Sequence, residues 1–156
     1  MYFAEIAPLY FRLSNDLVSK SPYLFLAGIV VTFIGFILQT LADLQKSRAK
    51  KINPGRFCDT GLYRLVRCPN YLGEILVWTG MILGSINTLA SPLQVILSVL
   101  GYVGIVFVMF NGARRLELRQ EGQYGGDAAY RDYASKTPIL LPLVPLYSLK
   151  RWKFLG

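Results

Sequence analysis

Three long apolar stretches dominate the pattern of hydrophobic and polar residues along the chain. The first, residues 23–42, carries no formal charge, and at a rise of 1.5 Å per residue a helix of this length spans roughly 30 Å, the thickness of a hydrocarbon core. The second, residues 71–89, is interrupted by Glu74 near its start, and the third, residues 92–110, has no charge. The pattern predicts three membrane-spanning helices.

Segments outside these stretches predict the remaining organisation. Residues 1–22 place leucine and isoleucine at helical spacing between charged residues, which favours an interfacial helix. Residues 23–113 form the membrane domain, with a basic loop at 43–70. Residues 114–156 form a cytoplasmic tail, and Asp127 caps a short helix at 128–135 within it. The fold class is therefore an all-α integral membrane bundle.

Prolines and glycines mark the ends and contacts of these helices. Pro92 suits the first position of the third helix, where its missing N–H costs nothing, and residues 87–91 form a turn that makes a helical hairpin. Gly101 and Gly104 would let neighbouring helices approach closely. Residues 138–147 are apolar but rich in proline, so we expect them to pack over the helix ends.

Composition supports the membrane interpretation. Hydrophobic residues make up 53% of the 156-residue chain, and the mean hydropathy is +0.39. That is more apolar surface than one small soluble core could bury. A lipid bilayer is the expected surrounding of this protein.

The positive charges indicate how the chain is oriented. Of 17 lysines and arginines, 15 lie in the loop between the first two spans or in the tail after the third. The positive-inside rule therefore predicts that the N-terminus is outside and that the basic loop and C-terminus are cytoplasmic. The membrane would be the endoplasmic reticulum in a eukaryote or the inner membrane in a bacterium.

The net charge of +8 predicts an anionic partner at this surface. Anionic lipid is sufficient to account for it, because each cation near such a leaflet contributes about 1 kcal/mol. We expect no nucleic acid, since the chain has no recognisable nucleic-acid-binding module.

Absent residue types narrow the chemistry. The sequence has no histidine, which excludes a histidine base, a histidine-ligated zinc and a Ser-His-Asp triad within the chain. Cys58 and Cys68 fit no CxxC spacing, so no metal site is expected. Carboxylates, tyrosines, arginines or a cofactor must carry any reaction.

Residues 61–74 place polar groups at the start of the second span. Pro69 suits the first helical position, which would leave the N–H groups of Asn70, Tyr71 and Leu72 unpaired. Arg64 and Arg67 flank this positive helix end. Such an arrangement predicts an anion-binding site.

Glu74 is a carboxylate at the edge of an apolar span. Asn70, Glu74 and Trp78 share one helix face, which should point toward protein because an unpaired charge in hydrocarbon costs roughly 2.5–3.5 kcal/mol. Arg114 or Arg115 is the expected partner. A structural role, holding the second and third spans together, is the alternative.

Taken together, three blocks resemble the C-terminal region of steroid 5-alpha-reductase-like membrane enzymes. The resemblance covers roughly residues 24–147. The blocks are residues 42–48 (ADLQKSR); residues 61–64 and 67–74 (GLYR and RCPNYLGE) with Trp78; and residues 124–127 (YGGD) with Tyr130, Tyr133, Thr137, Pro138 and Pro142.

The resemblance implies a cytoplasm-facing cavity that binds NADPH, with the tail of residues 114–156 packing over this cofactor region. The protein would use NADPH to reduce a conjugated carbon–carbon double bond in a lipid or sterol-like substrate. Glu74 and Tyr71 are the candidate catalytic residues. The implied cofactor-binding residues are Lys46, Arg48, Arg64, Arg67, Asn70, Tyr71, Glu74, Arg114, Tyr130 and Tyr133.

An alternative family shares this fold. Isoprenylcysteine carboxyl and phospholipid methyltransferases are similar through an Arg-His-Pro-x-Tyr block and bind S-adenosylmethionine, but Cys68 stands where that block has histidine. The many cations also suit the phosphates of NADPH better than S-adenosylmethionine, which is itself cationic. The sequence favours the reductase.

The resemblance also implies upstream helices that polarise the substrate carbonyl, whereas 22 residues precede the first span here. Tyr2, Glu5 or Tyr10 could substitute for them, or a partner chain could supply them. A truncated, non-catalytic membrane protein is the third hypothesis.

Overall fold

The computed structural model describes residues 2–15 and 22–155, with side chains from Ile6 onward. Within these residues the chain forms helices and connecting segments and no strand, which confirms the all-helical prediction. The α-helices are α1 (Tyr2–Ser14), α2 (Pro22–Ile52), α3 (Pro69–Ser85), α4 (Pro92–Tyr124) and α5 (Ala128–Lys136). Short 3₁₀ helices occupy Gly61–Arg64, Ile86–Thr88 and Lys153–Leu155. The side chains of Tyr2 and Glu5, proposed above as substitutes, lie outside the described residues.

The three apolar stretches lie in α2, α3 and α4, and Pro69 and Pro92 begin the last two helices as predicted. Among the described helices, α2 with 31 residues and α4 with 33 are long and apolar enough to cross a membrane. Only 11% and 17% of their most apolar segments are buried within the chain, unlike the core helices of a soluble protein. α3 has 17 residues, so the third span stays a prediction.

Two helices continue well past their apolar stretches. α2 runs on to Ile52 and α4 to Tyr124, so the first part of the predicted basic loop and of the predicted tail is helical. The reason is local: residues 43–52 and 114–123 are rich in leucine, glutamine, arginine and lysine, which are strong helix formers. Proline or paired glycines come only afterwards, at Pro54 and at residues 125–126.

The chain folds into two compact units. Unit 1 comprises Met1–Phe36 and Gly73–Val108, and unit 2 comprises Ile37–Leu72 and Met109–Gly156.

In unit 1, glycines bring α2 and α3 into backbone contact. A Cβ atom added to Gly28 would lie 2.6 Å from the Gly80 carbonyl oxygen, and one added to Gly35 would lie 2.7 Å from the Gly73 oxygen. A Cβ on Gly104 would meet nothing within 4 Å, so the close approach predicted there is wrong. Close packing in this unit rests on the glycines of α2 and α3 instead.

In unit 2, the C-terminal segment is tied to the residues that precede α3. The amide groups of Arg67 and Cys68 each donate a 2.9 Å hydrogen bond, to the carbonyl oxygens of Pro138 and Ile139 respectively. The Asp127 side chain accepts a 2.8 Å bond from the Ala129 amide and caps α5, which ends at Lys136, one residue past the prediction. The predicted packing of this segment over a helix end is confirmed within unit 2.

Candidate functional site

Unit 2 contains a cavity of about 280 Å³, which we call the basic cavity. Its polar lining is cationic and amide-rich, and none of the described residues that line it is acidic. The lining residues are Lys46, Lys50, Pro54, Phe57, Cys58, Tyr63, Arg67, Asn70, Leu116, Arg119, Gln120, Gln123 and Tyr124. Such a lining is complementary to an anionic ligand that carries hydrogen-bonding groups and a planar ring.

Helical periodicity explains how the basic cavity is built. Lys46 and Lys50 are four residues apart on the last turns of α2 and share one face. Leu116, Gln120 and Gln123 follow at helical spacing on the last turns of α4. Both faces exist because α2 and α4 continue past their apolar stretches.

Arg67 is the most buried cation of the cavity, with 2% of its side chain exposed. Its Nη2 atom donates to Glu117 Oε1 at 3.0 Å and to the Tyr147 carbonyl oxygen at 2.5 Å. Glu117, equally buried, accepts a 2.8 Å bond from the Leu149 amide through Oε2. This buried ion pair therefore joins the start of α3, α4 and the C-terminal segment.

Lys50 and an aromatic cluster form the opposite side of the cavity. The Lys50 ammonium donates to the hydroxyl of Tyr124 and to the carbonyl of Arg56, both at 2.6 Å. Phe57 packs against Tyr124, Tyr130 and Tyr133, with ring centroids 5.3–5.9 Å apart. The Tyr133 hydroxyl donates a 2.7 Å bond to the Tyr63 carbonyl oxygen. The aromatic cluster thereby fixes the loop that precedes α3.

Burial keeps several ionisable groups of unit 2 neutral. Desolvation raises the pKa of Tyr63 and of Tyr133 well above the ordinary value for a phenol. It also raises the pKa of Tyr130, against the opposing effect of the Arg67 guanidinium. For the fully buried Cys68 thiol it raises the pKa to about 12. At neutral pH these groups stay protonated and do not act as bases or nucleophiles.

The predicted cofactor residues are only partly brought together. Lys46, Arg67 and Asn70 line the basic cavity. Arg48 and Arg64 are exposed, and neither lines it. Arg114 is half-buried in α4 and does not line the basic cavity. Tyr130 and Tyr133 belong to the aromatic cluster behind Phe57.

Tyr71 lines a second cavity of unit 2, of about 290 Å³. Its other lining residues are Gly112, Arg115, Leu116 and Arg119. Arg119 and Leu116 also line the basic cavity, so the two cavities share a wall of α4. A Cβ on Gly112 would lie 3.2 Å from the Tyr71 ring, so a larger residue there would require the ring to shift by a few tenths of an ångström.

Glu74 belongs to unit 1, where its Oε1 atom accepts a 3.3 Å hydrogen bond from Trp78 Nε1. The shared face of Glu74 and Trp78 is therefore confirmed. Its ion pair with Arg114 or Arg115 stays a prediction.

The start of α3 differs from the sequence prediction. The Leu72 amide donates to the Cys68 carbonyl oxygen at 3.2 Å, so the expectation that it is unpaired is wrong. Val66, Arg67, Cys68 and Pro69 are buried, because the C-terminal segment covers them. Within unit 2, the positive charge that lines the basic cavity belongs to lysine and arginine side chains.

Sequence reasoning missed several residues of the site. They are Lys50, Phe57, Glu117, Arg119, Gln120, Gln123 and Tyr124. The helical pattern of α2 and α4 could have identified the cations and amides among them, had it been followed beyond the apolar stretches. The sequence near Arg67 does not indicate that Glu117 is its partner, because the two residues are 50 positions apart.

These features define a helical protein with two candidate membrane-spanning helices and a cationic cavity. The family described as "Protein of unknown function (DUF1295)" matches residues 6–137, and the chain belongs to this family. It is also similar to Steroid 5-alpha-reductase DET2 of Gossypium hirsutum, with 40% identity over 58 residues, and to that of Arabidopsis thaliana, with 38% identity over 58 residues. Each match covers 36% of this chain and 22% of the relative.

No solved structure matches the chain. The resemblance to steroid 5-alpha-reductase-like proteins is confirmed, whereas the relation to methyltransferases stays a prediction.

Proposed function

We propose that this protein is a membrane oxidoreductase that uses NADPH to reduce a conjugated carbon–carbon double bond in a lipid or sterol-like substrate. The observation that carries the proposal is the basic cavity, in which four cations and three amide side chains converge beside aromatic rings. The similarity to two steroid 5-alpha-reductases supports the reaction class.

The cavity lining fits the chemistry of a phosphorylated dinucleotide. Lys46 and Arg119 would bind its phosphates, and the amides of Asn70, Gln120 and Gln123 would bind ribose or carboxamide groups. At about 280 Å³ the cavity lies just below the usual range for small-molecule sites, so it suits part of NADPH. Arg67 would hold the site together, because its guanidinium is already bonded to Glu117 and Tyr147.

Reduction of an enone adds a hydride to one carbon and a proton to its neighbour. NADPH supplies the hydride when it is bound. Tyr71 is the proposed proton donor, and water would return the proton to its hydroxyl. Glu74 would position this part of α3 through its bond to Trp78.

The proposed membrane arrangement has three spans. α3 alone spans roughly 25 Å at 1.5 Å per residue, and the 3₁₀ turn Ile86–Thr88 lengthens it. The N-terminus would be outside and the basic cavity cytoplasmic, as the distribution of cations favours. A partner chain that supplies further helices is part of the proposal.

The test is a pair of ligand titrations on the full chain in detergent. NADPH should raise the melting temperature, because a ligand selective for the folded state stabilises it. Lys46→Gln and Arg119→Gln should each weaken NADPH about tenfold or more, since each removes a charge-assisted hydrogen bond. Arg151→Gln, an exposed cation that does not line the cavity, is the matched control.

Other outcomes would replace the proposal. No NADPH binding up to millimolar concentration rejects the reductase. Tight S-adenosylmethionine binding in its place indicates a methyltransferase. A melting temperature that responds to neither ligand indicates a non-catalytic membrane protein.

A further inference from the structure

Unit 1 has a groove of about 440 Å³ whose lining is almost entirely apolar. We call it the apolar groove. α1, α2 and α3 form it, and the charged residue of its lining is Arg12, a cation of which 7% is exposed.

The contacts of Arg12 neutralise little of its charge. Nη1 donates to the Gly84 carbonyl oxygen at 2.5 Å, and the guanidinium lies 3.8 Å from the centroid of the Phe25 ring. Among the ion pairs of the described residues, none includes Arg12. A guanidinium has five N–H donors arranged as a fork that suits the two oxygens of a phosphate or carboxylate. Beyond the bond to Gly84, the remaining N–H groups meet no anion among the described residues, and Arg12 keeps 7% of its surface exposed.

The groove continues from Arg12 along α2. Its wall runs from Phe25 through Ile29 and Phe33 to Phe36, a distance of roughly 16 Å at 1.5 Å per residue. Phe33 is 65% exposed and Phe36 52% exposed, so the groove is open along its side. A hydrocarbon chain could enter it laterally, without leaving a surrounding bilayer.

Charge complementarity selects the occupant. A cation that closes one end of an apolar channel is costly unless an anion accompanies it, and an amphiphile provides that anion together with a chain for the channel. We infer that unit 1 binds one anionic phospholipid, with its phosphate on Arg12 and one acyl chain along the groove. The inference uses none of the residues assigned to NADPH and stands or falls independently of that cofactor.

The experiment places the full chain in nanodiscs of phosphatidylcholine, with or without phosphatidylglycerol, and measures melting temperature together with bound lipid by native mass spectrometry. We expect phosphatidylglycerol to raise the melting temperature by roughly 3–6 °C for each tenfold gain in binding. Arg12→Gln should weaken binding about tenfold or more, while Arg151→Gln should leave it within about twofold.

A second pair of variants tests the chain-binding part and leaves Arg12 in place. Ile29→Trp fills the groove and should abolish retention of phosphatidylglycerol. Val30→Trp, at the adjacent exposed position outside the groove, should not. This pair keeps the inference testable if Arg12→Gln fails to fold.

Three results would overturn the inference. In the first, wild type and Arg12→Gln respond equally to phosphatidylglycerol, which makes Arg12 a structural link to Gly84. In the second, inorganic phosphate alone reproduces the stabilisation, which indicates a free-anion site. In the third, Ile29→Trp retains the lipid as well as Val30→Trp does. NADPH titration of the same samples shows separately whether the cofactor site is intact.

Discussion

The guanidinium of Arg67 and the carboxylate of Glu117 form an ion pair with an N–O distance of 3.0 Å, and each side chain is 2% exposed. The two residues are 50 positions apart in sequence. A buried pair of this kind is held by its partners: Glu117 also accepts the Leu149 amide, and Arg67 also donates to Tyr147. Its removal therefore affects three segments of unit 2 at once.

Breaking this pair should strongly destabilise the protein. Glu117→Gln leaves the Arg67 charge buried without its counter-ion, for which we expect a loss of about 3–5 kcal/mol in the free energy of unfolding. Replacing both residues with methionine should cost less than either single change, because no charge then remains buried. Denaturant unfolding in detergent measures the difference.

The exposed pair Lys136–Asp132 is the matched control for that experiment. Its side chains are 71% and 63% exposed, and Lys136→Gln should change the unfolding free energy by no more than about 1 kcal/mol. Equal effects at the two pairs would contradict the role assigned to Arg67 and Glu117.

Two tyrosines of the aromatic cluster should respond differently to loss of the hydroxyl. The Tyr133 hydroxyl donates to the Tyr63 carbonyl oxygen, so Tyr133→Phe should lower the unfolding free energy by about 0.5–1.5 kcal/mol. The Tyr130 hydroxyl is buried and makes no hydrogen bond of normal geometry among the described residues, although the Arg67 guanidinium is close enough to lower its pKa, so Tyr130→Phe should cost less than Tyr133→Phe. The two melting curves, measured side by side, check this; the reverse order would contradict the hydrogen bonding described above.

The Cys68 thiol should make stability depend on pH above about 9. Burial raises its folded-state pKa from 9.0 to about 12, so over this range the unfolded chain ionises while the folded chain does not. The contribution of Cys68 to the free energy of unfolding is fully present below pH 9. It is lost as pH rises further, by up to about 1.4 kcal/mol per pH unit. Cys68→Ala should flatten the slope of unfolding free energy between pH 9 and 10.

Cys58 is the control for the thiol. It is only partly buried and lines the basic cavity, so a reagent can reach its thiol in the folded protein. At pH 8 a thiol reagent should label Cys58 in the folded protein and Cys68 only after unfolding, because burial denies access and disfavours the thiolate. Rapid labelling of Cys68 in the folded protein would refute its assigned burial.

Glycines in unit 1 should differ in their tolerance of alanine. At Gly28 and Gly80 the new methyl group would lie within 2.6 Å of the backbone of the opposing helix, and we expect a loss of about 1–3 kcal/mol from forced separation of the helices. At Gly104 nothing lies within 4 Å, so Gly104→Ala should be neutral or stabilising by up to about 1 kcal/mol. Thermal unfolding of the three variants checks this ranking. If α2 were fully exposed to lipid, Gly28→Ala and Gly80→Ala would be tolerated as well as Gly104→Ala.

Part of the candidate site followed from local sequence. Lys46, Arg67 and Asn70 were grouped from the sequence and line the basic cavity together, because the block before α3 and the basic end of α2 are recognisable in the sequence. Arg48 and Arg64 were grouped with them but are exposed. A cluster of cations in sequence does not indicate which of them faces inward, since helix rotation and loop path decide that.

The order of apolar and polar residues by itself determined the helical class, the apolar lengths of α2 and α4, and the proline-marked starts of α3 and α4. These features depend on periodicity and backbone chemistry within about ten residues, so they can be derived from local pattern. Tertiary structure alone decided that Glu117 neutralises Arg67, that the C-terminal segment covers the start of α3, and that Arg12 closes an apolar groove. Each of these depends on contacts between distant residues, whose pairing is set by packing and by the cost of leaving a buried charge without a partner.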